Sequence, residues 1–160
     1  MTFLLALASL TADAAEPVVQ SDGSVTMRVV LPASEDAVRA QLDTAAEASA
    51  LHGDATLVSQ ERQGACEKST FKTRGLLTSI SYVALRCPTA SGWKQTLVSS
   101  DTFEANEAEW AVPAVDGGTE LRYRIQVKLD LPVGQGMVNA QIAESMTRAV
   151  DRLESRLVVQ

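Results

Sequence analysis

The sequence predicts an α+β fold in which a curved antiparallel sheet wraps one long C-terminal helix. Three observations carry that expectation. From Thr119 to Asp130, apolar Leu121, Tyr123, Ile125, Val127 and Leu129 alternate with polar Arg122, Arg124, Gln126, Lys128 and Asp130, the period of a strand with one buried face. Past Pro132, Gly134 and Gly136 the period turns helical, because Val138, Ile142, Met146, Ala149, Val150, Leu153 and Leu157 share about a third of a helical wheel. Between Asp54 and Thr119 the turn signals Gln63-Gly64, Gly75, Pro88 to Gly92, Asp101 to Asn106 and Asp116 to Gly118 recur at the spacing of an antiparallel meander.

Taken from the start of the chain, residues 1–14 read as a targeting segment, with an apolar run Phe3 to Leu10 ahead of the small residues Ala12-Asp13-Ala14. The run is too short to span a bilayer, which favours a signal, with a short N-terminal helix or an imprecise start as the alternative. Cleavage there implies export to the periplasm or the extracellular space. Residues 15–23 form a polar, Pro-containing leader, expected to be disordered. A first strand over Ser24 to Leu31 puts Val25, Met27, Val29 and Leu31 on one face, and Pro32-Ala33-Ser34 ends it. Ser34 then caps a short helix whose positive end holds Glu35 and Asp36. Thr44 and Glu47 have capping-box spacing and start a second short helix, which Gly53 closes after His52. Six strands follow, near 55–62, 66–74, 79–87, 93–101, 107–113 and 119–130. The total is a seven-stranded sheet, with the last helix running from about Gln135 to Val158.

A chain of 160 residues with this element order is expected to form one domain over 24–160, large enough to bury a core without metal or cross-links. Its formal net charge of −6 repels phosphate backbones, which argues against nucleic acid, and no basic stripe invites a membrane surface by charge. No later segment is apolar enough to span a bilayer. No cofactor is called for, and Cys66, Cys87 and the single, distant His52 do not make a metal ligand set. In an exported chain the two cysteines become a disulfide candidate. A hairpin turning over Gly75 to Thr78 sets Cys66 opposite Cys87, with two free thiols as the alternative.

Trp110-Ala111-Val112-Pro113, the turn Asp116-Gly117-Gly118-Thr119, the strand to Leu131-Pro132 and the closing helix together resemble the START-like (SRPBCC) superfamily. Its members include polyketide cyclases and dehydrases, coenzyme-Q-binding proteins and lipid-transport proteins. The resemblance covers about Ser24 to Leu157 and implies a helix-grip fold with a ligand cavity between sheet and helix. Function must be argued from the site, since the fold hosts binders, enzymes and partners of other proteins.

Extending the register from hairpin to hairpin aligns Phe71, Tyr82, Val98, Trp110 and Tyr123 in one row, with Ile80, Arg86 and Ile125 on the same face. Met137, Ile142 and Met146 are expected on the opposite wall, Met being adaptable to varied ligands. The row is either the lining of a pocket or plain core. Arg86 points inward by strand parity and needs a partner there. The candidates are a carboxylate or phosphate head-group, Glu61, Asp101, or solvent at the strand end. No nucleophile with a base is legible. His52 reads as a surface residue at a helix end, far from the pocket mouth, and Gly117-Gly118 closes a hairpin rather than cradling phosphate. The leading expectation is an exported binder or carrier of a small hydrophobic ligand: a lipid, a quinone or a polyketide-like aromatic. The second is a cyclase- or dehydratase-type enzyme using Tyr82, Tyr123 or Arg86 as acid or orienting group. The third is a protein-docking module with a packed interior.

Overall fold

The computed structural model describes residues 15–74 and 78–159. The expected targeting segment and the centre of the Gly75 to Thr78 turn therefore lie outside the described residues. In chain order the elements are β1 (Val18–Val19), β2 (Val25–Leu31), α1 (Glu35–Ala40), α2 (Ala45–His52), β3 (Ala55–Gln63) and β4 (Cys66–Arg74). There follow β5 (Ser79–Pro88), β6 (Gly92–Ser100), β7 (Phe103–Ala111), β8 (Ala114–Val115), β9 (Gly118–Leu129) and α3 (Gln135–Val158). The strands form one sheet in the order β1-β2-β9-β7-β6-β5-β4-β3, with β8 paired to β9, and every pairing is antiparallel. The sheet has nine strands rather than seven. The two additional strands are dipeptides.

Local chemistry sets the helix ends. Ser34 Oγ accepts from the Ala37 N–H at 3.2 Å. Thr44 and Glu47 close a reciprocal capping box, both bonds 3.1 Å. Gly53 takes φ 75°, the left-handed conformation that favours glycine, and its N–H reaches Ser49 O at 3.1 Å. The 24 residues of α3 span about 36 Å. Its buried face, Val138, Ile142, Met146, Ala149, Val150 and Leu153, packs with Val25, Met27, Val29 and Leu31 of β2 and with Leu121 and Tyr123 of β9.

Three departures from the sequence expectation position the site. The leader at 15–23 is ordered: Val18 and Val19 pair with Thr26 and Val25, and Asp22 accepts from the Ser24 N–H at 2.9 Å and pairs with Arg124 at 2.9 Å. The expected loop at 101–106 shrinks to Asp101 and Thr102, so β7 begins at Phe103 and Trp93, not Val98, faces Trp110. Finally, a bulge places Val83 opposite Ser99 and Ala84 opposite Leu97, which leaves Val98 as the extra residue. A bulge inverts the parity beyond it, and Val98 turns outward, 50 % exposed.

Cys66 and Cys87 are joined by a disulfide with S–S 2.06 Å. Their α-carbons are 4.3 Å apart, the spacing of a non-hydrogen-bonded antiparallel pair. The bond closes the β4–β5 hairpin across 21 positions. Loop-closure entropy for a ring of that size is worth about 3 kcal/mol. Replacing both cysteines by alanine should therefore lower the urea-unfolding free energy by about that amount, and the unreduced, denatured parent should show no reactive thiol.

Candidate ligand-binding site

Between α2, α3 and the sheet lies a cavity of about 190 Å³. That exceeds the about 150 Å³ which holds a benzene molecule in an engineered protein core, and suits a ligand of one or two rings. Phe71, Ile80 and Tyr82 line it from β4 and β5, and Phe103, Asn106, Ala108 and Trp110 from β7. Tyr123, Ile125 and Val127 of β9 continue the floor, and Ala48, His52, Val138, Gln141, Ile142 and Ser145 form the helical wall. The lining reaches the surface at exposed Asp54 and Arg74, the end of the sheet where β4 finishes and β5 starts. Aromatic rings pave the floor. Phe71 and Tyr82 stack at 5.3 Å, Tyr82 meets Phe103 edge-on at 5.2 Å, and Trp110 stacks on Tyr123 at 4.9 Å.

Seven of the residues singled out from the sequence meet at this cavity: Phe71, Ile80, Tyr82, Trp110, Tyr123, Ile125 and Ile142. Four stand elsewhere. Val98 points outward at the bulge, and Met137 lies on the solvent face of α3, 59 % exposed, because it is about 100° around the wheel from buried Val138. Met146 is fully buried among the packed residues of the core and does not line the cavity.

Arg86 is the fourth. It is 3 % exposed, but it does not line the cavity. Its Nη1 donates to Asp43 O at 2.8 Å and reaches Glu67 Oε2 at 3.4 Å, while Nη2 donates to Leu42 O. The guanidinium lies 4.7 Å from the Trp93 ring centroid and 5.8 Å from that of Trp110. Glu67 Oε2 also accepts from the Ala45 N–H at 3.0 Å. Arg86 and Glu67 thus pin the α1–α2 connection to the sheet, and Glu67, rather than Glu61 or Asp101, is the partner. Burial draws the Arg86 pKa down from its ordinary value, and the Glu67 charge opposes it.

His52 is the residue that sequence reasoning misplaced. Instead of standing on the surface, it lines the cavity between two hydroxyls: Nε2 bonds the Tyr123 phenol and Nδ1 lies 2.8 Å from Ser145 Oγ. Ser145 Oγ in turn donates to Asp54 Oδ2 at 2.6 Å, and Arg148 Nη2 donates to both Asp54 oxygens at 2.8 Å. A signal for this was present. Ala45, Ala48, Ser49 and His52 are spaced i, i+3, i+4 and i+7, so His52 belongs to the inner face of α2.

Burial pushes the His52 pKa down to about 4; the Arg148 and Arg152 charges add to this, against the pull of Asp54. Burial likewise raises the Tyr123 phenol well above its usual value and Tyr82 to about 12. A histidine whose folded pKa lies below its unfolded value of 6.5 contributes stability that is full above pH 6.5 and lost as pH falls toward 4, because only the unfolded chain takes up the proton. The loss should reach about 3 kcal/mol by pH 4. Unfolding free energies measured from pH 7.5 to 4 should accordingly fall more steeply in the parent than in His52→Gln.

A nine-stranded antiparallel sheet gripping a C-terminal helix over a cavity is the START-like, helix-grip fold, and that is the fold of this protein. Among solved structures it is similar to a protein from Thermus thermophilus, with TM-score 0.69 and 16% identity over 85% of this chain and 97% of the other. A START superfamily protein from Mycobacterium smegmatis gives TM-score 0.68 and 17% identity over 84% and 96%. The ZhuI aromatase/cyclase from Streptomyces sp. R1128 gives 0.55 and 12% over 83% and 87%. No family model matches the sequence, and no curated protein matches it.

Proposed function

We propose that the protein binds and carries a small hydrophobic ligand in the cavity between its sheet and α3. The observation that carries this reading is the 190 Å³ space with an aromatic floor between the sheet and the two helices. Its size favours a compact ring system over a two-chain lipid. A cyclase- or dehydratase-type enzyme is the second reading, favoured by the Tyr123–His52 pair and by the aromatase/cyclase among the similar structures. Energetics weigh against it: charging a histidine of pKa about 4 at neutral pH costs about 4 kcal/mol, which makes His52 a weak base. The amino groups of Arg86 are committed to protein acceptors, so it is a poor acid or head-group ligand here.

In the same reading residues 24–160 form one domain, residues 1–14 are a cleaved signal, and the protein works in the periplasm or outside the cell. The disulfide supports this, and among the described residues no helix is long and apolar enough to cross a membrane. Native mass spectrometry of protein gently extracted from its source should show a mature chain starting near Ala15 and carrying an additional small apolar molecule. A ligand-free chain that also binds no naphthalene probe would favour the docking-module reading instead.

A further inference from the structure

The hydrogen bonds around Tyr123 run in one direction. The Asp54 carboxylate, held by Arg148, only accepts, so the single proton of Ser145 Oγ is spent on it at 2.6 Å. Ser145 Oγ must then accept from His52 across the 2.8 Å contact, which places the imidazole proton on Nδ1. Neutral His52 has only a lone pair left at Nε2, so the Tyr123 hydroxyl donates to it. Every proton in the chain points from Tyr123 toward Asp54. The Tyr123 oxygen keeps two lone pairs, of which the Trp110 indole N–H beside it can take at most one.

From this we infer that the chain Tyr123–His52–Ser145–Asp54–Arg148 makes Tyr123 a fixed hydrogen-bond acceptor in the cavity wall, and so selects ring ligands that carry a hydroxyl donor over those with only an ether or carbonyl oxygen. The inference rests on the proposed ligand cavity. An ether oxygen placed there would face a lone pair with no proton between them, whereas a hydroxyl completes the chain. The Tyr82–Asn106 pair elsewhere in the wall does not discriminate, since an amide offers both a donor and an acceptor and a phenol can turn to serve either polarity. Burial reinforces the polarity: His52 stays neutral at physiological pH, and the Tyr123 phenol keeps its proton. Ser145 and Asp54 also border the cavity, but in this chain they act as positioning residues, fixing the direction of the proton that Tyr123 gives to His52.

The test compares 2-naphthol with 2-methoxynaphthalene, two fluorescent probes of nearly the same shape that differ in the donor. The parent should bind 2-naphthol at least about tenfold more tightly. Tyr123→Phe, which removes the acceptor, should bring the ratio near one. Ser145→Ala should also lower it several-fold, because His52 is then free to protonate Nε2 and turn the phenol proton toward the cavity. If the parent binds both probes equally, or if neither variant changes the ratio, the donor-selective inference falls while the cavity reading stands. If neither probe binds the parent, both fall.

Discussion

Replacing Arg86 by alanine should lower the unfolding free energy by about 3 to 5 kcal/mol. Three terms act together. Glu67 would be left charged and largely buried with its neutralising partner gone. The carbonyls of Leu42 and Asp43 would lose their donors at the turn between α1 and α2. The Trp93 and Trp110 rings would lose the cation and the stem packed against them. Urea unfolding of Arg86→Ala measures the sum, and Arg86→Ala combined with Glu67→Gln separates the first term, since a neutral amide tolerates burial better than a lone carboxylate. The double variant should recover part of the loss. A loss below about 1 kcal/mol in the single variant would show that the α1–α2 connection holds without its pin.

A tryptophan placed one turn apart on α3 should have opposite consequences. Ile142 lines the cavity, so the indole of Ile142→Trp enters empty space; naphthol binding should be abolished and stability should change by less than about 1 kcal/mol. Met146 is fully buried in close-packed core outside the cavity, so Met146→Trp should destabilise by about 1 to 3 kcal/mol. Paired measurements of probe affinity and urea midpoint check both. Equal destabilisation by the two substitutions would mean that the space beside Ile142 collapses in solution, and the carrier reading would lose its main support.

Much of the fold was legible because its elements obey single periods. The alternation from Leu121 to Leu129 and the helical stripe from Val138 to Leu153 each bury one face whatever lies opposite, so β9 and α3 follow from residue order. Caps at Ser34, Thr44 and Gly53 act through their own backbone neighbours and were readable for the same reason. The site was legible in part. Phe71 and Tyr82 share a hairpin whose register the Cys66–Cys87 pair also marks, and they came out together.

What residue order by itself determined, then, is the α+β architecture, the inward face of most strands, and the apolar, aromatic character of the interior. Tertiary structure alone decided where that face changes. A one-residue bulge at Val98 and a turn cut down to Asp101 and Thr102 shift the β6 register, and such shifts cost little locally while inverting every side chain beyond them. It also decided the polar chemistry. His52 meets Tyr123 and Ser145 across separations of 71 and 93 residues, and Arg86 meets Leu42 and Glu67 across 44 and 19. A polar side chain takes whichever donor or acceptor the packed fold brings within about 3 Å, and no local periodicity encodes that encounter.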